Sequence, residues 1–361
     1  MIQTDILIVG GGPAGAQTAK YLSDANVENI LIQRNFSFKK PCGGGIRKDG
    51  FKEFDLNEEE ILKTVNTVAI VHKEIRVNID ISRVGVAIVD RVSFDNSLRL
   101  DAQRRGTQLY EASFVSMEVF DTYVVSKIKI KNEYKYIKSN YVVAADGVNS
   151  KIRKAINGDE VSSILTHYSD IPSQSFESCD FHLGKDVAEG HYAWAFPHKH
   201  GSNIGTVSNS IDALQKLKEN LDVDEDIKNF GYKIPVYNNP IFYKKRVFFV
   251  GDSASQVLPF TYEGIYYSLA SAKILSNIII NKKEPKEYEK EWNDKFSKKF
   301  NILLKLQKIF LYNDFMIKVL IKLFSTKSIK QKVLKLWIGE DTIKVNFTFF
   351  LKVLKYISKG A

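Results

Sequence analysis

Cysteine is scarce in this chain: Cys42 and Cys179 are the only two in 361 residues. That is too few for a disulfide framework, and no His/Cys cluster has metal-ligand spacing, so a reducing cytoplasm is expected and a metal site is not. A long uncharged apolar run is also missing. The tail segment 302–324 comes nearest, but it contains Lys305, Lys308, Lys318, Lys322 and Asp314, which excludes a transmembrane span. The first apolar run begins at the N-terminus itself, so no signal peptide is expected. Excess positive charge is absent from most of the chain. Residues 1–281 carry 33 basic and 34 acidic side chains, whereas 282–361 carry 19 Lys against 8 Asp or Glu, so the net charge of +10 belongs to the tail. No nucleic-acid reading motif accompanies that charge, which leaves nucleic acid the poorest of the partners that basicity suggests.

What the chain does have begins at residues 4–15, TDILIVGGGPAG. A short β-type run, 5–9, is followed at once by glycines and then by the helix-forming run 14–22, so it reads as a central parallel strand entering a turn and helix. Gly10, Gly12 and Gly15 stand at G-x-G-x-x-G spacing. The first allows a tight turn, the second lets the backbone approach a pyrophosphate, and the third lets the helix lie close on the strand with its N-terminus toward the phosphates. Residues 29–33, NILIQ, read as the next strand. Its last position usually holds an acid that accepts from ribose hydroxyls; here it holds Gln33, followed by Arg34, which would suit a 2′-phosphate.

Residues 40–47, KPCGGGIR, place three glycines after a Pro-Cys pair. Such a loop is either flexible with an incidental thiol, or passes close to something flat or charged. Residues 55–62 are expected to open a helix with acids in its first turn. Residues 65–89 alternate in short runs and predict antiparallel strands of a second sheet. Phe94, Leu98 and Ala102 recur at spacing four within 89–106, predicting a helix started by Ser93 or Asp95. Arg91 ahead of it is either a surface residue or reaches a cofactor phosphate or carbonyl. Residues 108–137 read as further strands, and 141–153 as a strand ending in Asp146-Gly147 before a helix. In residues 191–206, Tyr192, Trp194 and Phe196 alternate, so in a strand all three rings share a face, either of a core or of a pocket for a long apolar substrate.

Residues 246–265, RVFFVGDSASQVLPFTYEGI, deliver Asp252 from a buried strand and Gly264-Ile265 to the start of a long helix. An Asp there can bond a ribityl hydroxyl, and amides at the helix start can face the electron-rich edge of a flavin. Helical projection of 302–324 puts Ile302, Leu306, Ile309, Phe310, Met316, Ile317, Leu320 and Phe324 on one side and the four lysines on the other. Two readings stand for this face: a helical subdomain packed on the core, or an interfacial helix drawn to anionic lipid.

The ordered set GGGPAG, KPCGGG, DRVSFD, ADGVNSKIR, YAWAFP and VGDSASQVLPFTYEGI resembles the geranylgeranyl reductase family, within the wider flavoprotein group that includes p-hydroxybenzoate hydroxylase. The likeness spans about residues 1–280. It implies an α/β (mixed α+β) chain: a Rossmann-like FAD-binding domain from 1–60, 90–155 and 241–284, an antiparallel β-sheet substrate domain from 61–89 and 156–240, and a basic helical region, 285–361. It also implies FAD as cofactor, an isoprenoid lipid substrate whose double bonds are saturated, NADPH or reduced ferredoxin as electron donor, and peripheral association with a membrane. By position, Gly10, Gly12, Ala14 and Gly15 would hold the pyrophosphate, Gln33 and Arg34 the adenosine side, and Arg91 and Val115 outer cofactor contacts. Asp252, Gly264 and Ile265 would hold ribityl and flavin, with Cys42, Gly43 and Gly44 along the ring and Cys42 the candidate catalytic group. Tyr192, Trp194 and Phe196 would line the prenyl pocket. The chain departs from the family at Gln33, at Gly205-Thr206-Val207 where G-x-G is usual, and at Tyr262, where the G-E-G before the flavin helix becomes Tyr262-Glu263-Gly264. The rival readings are a flavin monooxygenase or halogenase acting on an aromatic substrate, and a non-catalytic prenyl-lipid carrier.

Overall fold

The computed structural model describes residues 1–172, 174–198, 200–223 and 227–338. The rest of the basic tail expected to be helical, 339–361, lies outside the described residues. Three sheets organise the chain. The first has eight strands. Val247–Phe249, Glu133–Ala144, Ile2–Val9, Asn29–Gln33 and Gln108–Glu111 lie in that order, each parallel to the next, and the remaining strands pair antiparallel. Ile6, Leu7, Ile8 and Val9 are all buried, which is why this run lacks alternation and takes a central place. The helix Pro13–Asp24 follows directly and packs beside Arg91–Arg104 and Ile265–Ile280.

The second sheet has seven strands in the order Phe230–Pro235, Ser163–Ile171, Gly201–Val207, Ala188–His198, Cys179–Gly184, Thr67–His72 and Ile75–Asp80. Its pairing is antiparallel except where Cys179–Gly184 runs parallel to Thr67–His72. The small third sheet, Gly45–Arg47 with Val86–Ile88 and Lys63–Val65, ties the Pro-Cys-Gly loop to the segment before the Arg91 helix.

Two expectations need correction. No helix runs through 55–62. The structure has a short helix, Asp49–Glu53, and a single turn, Glu58–Glu60, opened by Asn57 accepting from the Glu59 amide at 3.1 Å. Asp55 adopts a left-handed φ of 53°, which breaks the helix, and its carboxylate bonds Lys20 at 2.8 Å and Arg105 at 3.1 Å rather than an N-terminus. The 91–104 helix is capped by Asp90, which accepts from the Val92 and Ser93 amides at 3.0 Å, and not by Ser93 or Asp95. Asp95 is instead turned inward. Arg91 is therefore the first helical residue and is buried, not a surface group ahead of the helix.

The amphipathic stretch 302–324 is two helices, Lys298–Phe310 and Asp314–Phe324, the second capped by Asn313 accepting from the Met316 amide at 2.9 Å. Phe310, Ile317, Leu320 and Phe324 pack with Ile70, Ile79 and Leu183 of the second sheet, so the apolar face lies on the sheet. No helix among the described residues is long and apolar enough to cross a membrane.

Candidate active site

Two of the three fingerprint glycines, Gly10 and Gly15, are required by close approach. Gly10 has φ 107°, and a Cβ on it would sit 2.2 Å from the Ala145 carbonyl oxygen. A Cβ on Gly15 would sit 1.9 Å from the Gly10 carbonyl oxygen, so the helix meets the turn with no room for a side chain. Gly12 differs: a Cβ there would meet nothing within 4 Å. Gly12 caps the Pro13–Asp24 helix without any side-chain bond, and the amides of Ala14 and Gly15 in the first turn have no intrahelical acceptor. Open space beside unsatisfied donors at a helix N-terminus is what a pyrophosphate needs, and the site fits FAD on that ground.

Gln33 braces this turn. Its Oε1 accepts from the Gly11 amide at 2.8 Å and its Nε2 donates to the Asn35 carbonyl at 3.0 Å, while Arg34 is exposed beside it. A residue the sequence reading missed does similar work: Arg99, buried, donates to the carbonyls of Gly11 at 3.0 Å and Phe36 at 2.8 Å. The i, i+4, i+8 ladder Arg91, Asp95, Arg99 was the available signal, since charges at that spacing share the face that also carries Leu98 and Ala102. Val115 stands 40 % exposed on the strand Ser113–Val119, away from the central cavity.

That cavity is about 1160 Å³ and is bounded by the second and third sheets, the loops around Lys40–Gly43 and Asp252–Gly264, and the C-terminal helices. Cys42, Gly43, Arg91, Asp252, Gly264 and Ile265 line one part; Tyr192, Trp194 and Phe196 line another. The structure thus brings together sequence candidates from four separated segments. Gly44 is not in the wall. It takes φ 69° and packs so tightly on Val89 that a Cβ would lie 2.4 Å from the Val89 carbonyl oxygen. Gly43 is pressed against the aromatic strand, with its missing Cβ 2.5 Å from Phe196 Cδ2.

The strand Ala188–His198 does put its three rings on one face. Phe181 fills between them edge-on, 4.9 Å from Tyr192 and 5.2 Å from Phe196 by ring centroid. Their polar tips are satisfied: Tyr192 Oη donates to the Thr261 carbonyl at 2.7 Å, and Trp194 Nε1 to Asn203 Oδ1 at 2.7 Å. The glycine kept in the Gly205-Thr206-Val207 stretch has a reason here, because any Cβ at Gly205 would strike the Trp194 ring at 2.3 Å. Beyond the rings the wall is aliphatic, with Ile70, Ile79, Leu183, Leu320 and Leu323 among its members.

Two of the cavity's cations, Lys40 and Arg91, are paired with a carboxylate. Asp252 forms a salt bridge with Lys40; burial alone would push the Lys40 ammonium down, but Asp252 outweighs it and holds the group above its ordinary value. Arg91 bonds Asp95 at 2.8 Å. Burial would lower its pKa, yet Asp95 and the neighbouring Cys42 thiol raise it overall. Glu263, just before Gly264, is desolvated and its carboxyl is raised, although Lys299, Arg47 and the Trp337 indole that donates to Oε1 oppose the shift. Burial lowers Lys299 to about 8. Lys40 and Lys299 were not singled out in the sequence, because Asp252 and Glu263, the acids beside them, lie far away along the chain, and Glu263 was read only as part of Tyr262-Glu263-Gly264. Among the described residues no group of three or more His, Cys, Asp or Glu is placed to hold a metal ion.

Comparison with known proteins agrees with this geometry. A family model described as an FAD binding domain matches residues 3–229. Geranylgeranyl diphosphate reductase from Synechocystis sp. is 28 % identical over 350 residues, covering 86 % of each chain. Digeranylgeranylglycerophospholipid reductase from Methanocaldococcus jannaschii is 26 % identical over 338 residues, covering 84 % of this chain and 86 % of its own. The crystal structure of a geranylgeranyl bacteriochlorophyll reductase-like protein from Thermoplasma acidophilum superposes with a TM-score of 0.81 at 20 % identity over 99 % of both chains, a likeness of fold.

Proposed function

Since this chain belongs to the FAD binding domain family, we propose that it is an FAD-dependent oxidoreductase that saturates carbon–carbon double bonds of a geranylgeranyl-type chain, carried on a lipid, quinone or diphosphate. The observation that carries this reading is the continuous apolar cavity that runs from the Cys42 and Gly264 side, past the aromatic wall, to the aliphatic end beneath the C-terminal helices. The two curated relatives named above are reductases of geranylgeranyl compounds, which supports the same reading.

Gly10, Gly12, Ala14 and Gly15 would hold the pyrophosphate, Gln33 and Arg34 the adenosine side, and Arg91 and Val115 outer parts of the cofactor. Asp252 would bond the ribityl chain, exchanging part of its pairing with Lys40, and the amides at Gly264 and Ile265 would face the flavin edge. The chemistry that bound, reduced FAD would supply there is a hydride for one alkene carbon, and the other carbon would take a proton. Cys42, whose thiol faces the cavity beside Arg91, is the proposed source of that proton, with Gly43 and Gly44 shaping the loop around it. Tyr192, Trp194 and Phe196 exclude water and orient the chain, and because their polar tips bond protein groups they offer the alkene only ring faces.

Electrons would come from NADPH or reduced ferredoxin. The basic tail would hold the protein at an anionic lipid surface, at about 1 kcal/mol per nearby lysine. Tyr312 and Phe315, 73 % and 56 % exposed at the corner between two tail helices, are suited to such a surface. The test is anaerobic incubation of the holoprotein and reductant with a geranylgeranyl lipid, followed by mass spectrometry. Products heavier by two hydrogens per bond support the proposal. Oxygen consumption with hydroxylation or halogenation in a parallel aerobic incubation with an aromatic substrate would replace it with a monooxygenase or halogenase, and tight lipid binding without turnover by a yellow protein would replace it with a carrier.

A further inference from the structure

Tyr262 lines the cavity between two dissimilar regions: Glu263 and Gly264 follow it toward the proposed flavin edge, and Phe260 and Thr261 precede it. Its backbone φ is 53°, in the left-handed region that a bulky ring rarely adopts, and Phe260 two residues earlier has φ 77°. Such conformations persist where surrounding bonds over-determine them. Here the surroundings are specific. Tyr262 Oη lies 2.6 Å from His191 Nδ1 and accepts from Gln307 Nε2 at 3.0 Å. Gln307 is buried on the helix Lys298–Phe310, and its Oε1 accepts from the Phe260 amide at 3.0 Å, so one side chain pins both strained residues. Burial lowers the His191 imidazole, which favours the neutral ring as hydrogen-bond partner of the phenol. Neither His191 nor Gln307 lines the cavity; the ring stands in front of both, 5.9 Å from Tyr192 by centroid, and extends the aromatic wall by one member.

From this arrangement we propose that Tyr262 is a specificity-determining residue, a fixed post that sets how far an isoprenoid chain passes from the flavin side into the aliphatic end of the cavity. The clamp serves position rather than proton supply: the hydroxyl is already engaged by His191 and Gln307, and only the ring is offered to the ligand. A glycine at this position would accept the left-handed backbone and leave the passage wider. The proposal rests on the prenyl-reductase reading above.

Binding of prenyl alcohols of increasing length, followed by quenching of tryptophan fluorescence in the FAD-loaded protein, tests it. Wild type should show affinity that rises with length and then levels off. Tyr262→Gly should move that plateau outward by at least one isoprene unit, with affinity for longer chains rising about tenfold, whereas Tyr262→Phe, which keeps the ring, should move it less. Gln307→Leu frees the ring without altering the strained residue and should shift the plateau in the same direction, which covers the case in which Tyr262→Gly does not fold. An unchanged length profile in variants that melt and bind FAD as wild type does overturns the proposal and leaves the reductase reading intact. Wild type that binds no prenyl chain of any length overturns both.

Discussion

Gly12 and Gly15 sit three residues apart in one fingerprint, yet alanine should harm them differently. At Gly12 the backbone is ordinary, with φ −76°, and a methyl group meets nothing within 4 Å. Gly12→Ala should therefore leave the cofactor-free protein within about 0.5 kcal/mol of wild type. The methyl group would stand where the pyrophosphate is expected, so FAD affinity should fall tenfold or more, about 1.4 kcal/mol. At Gly15 the new Cβ would lie 1.9 Å from the Gly10 oxygen and 3.0 Å from Ala145 Cβ, and both neighbours belong to the packed turn and strand. Alanine gains up to about 1 kcal/mol in helix propensity. Overpacking costs about 1–3 kcal/mol, and against a backbone oxygen the upper end applies, so the helix must move off the strand and the cofactor-free protein should lose about 1–2 kcal/mol. Thermal melts of the stripped protein, repeated across an FAD titration, separate the two effects. The reasoning fails if Gly12→Ala binds FAD like wild type, or if stripped Gly15→Ala melts where wild type does.

Burial pushes the His182 imidazole down to about 4, with Asp180 opposing only in part, and its Nε2 has no partner among the described residues. The unfolded chain takes up this proton near the ordinary pKa of about 6.5, so stability should be lost as pH falls from about 6.5 to about 4, by roughly 3 kcal/mol in total. Urea unfolding at pH 7, 5 and 4 reads that slope; His182→Gln should flatten it, and an equally steep slope in the variant would dismiss the assignment. Cys42→Ser should keep FAD and lower turnover by about 10²-fold, the usual scale of a lost general acid, whereas full turnover would remove Cys42 from the chemistry.

The legible parts of the chain were those whose physics is local. A β-run, a glycine turn and a helix announce themselves over a dozen residues, and period two placed Tyr192, Trp194 and Phe196 on a common face before any coordinates. Acid runs were the weak signal: residues 55–62 carry charge suited to a helix start, but Asp55 is spent on Lys20 and Arg105, and the turn that forms is short. Lys40 with Asp252, and Tyr262 with Gln307, could not be read at all, because neither partner constrains the other until sheets and helices are stacked. The amphipathic tail left two readings open since an apolar stripe is equally fit for a sheet or a bilayer; the sheet takes most of it, and Tyr312 and Phe315 remain outside.

The parallel pairing of Thr67–His72 with Cys179–Gly184 also bears on synthesis. Val68 and Cys179 are register partners about 110 residues apart, so at about 5–20 residues per second the earlier hairpin waits roughly 6–22 s for the strand that pairs with it. During that interval Ile70, Val77 and Ile79 have no cover, since the helices that pack on them are made later still. The nascent chain therefore carries an unprotected hydrophobic edge through much of its elongation, and sites that slow translation between residues 80 and 180 would lengthen its exposure to aggregation.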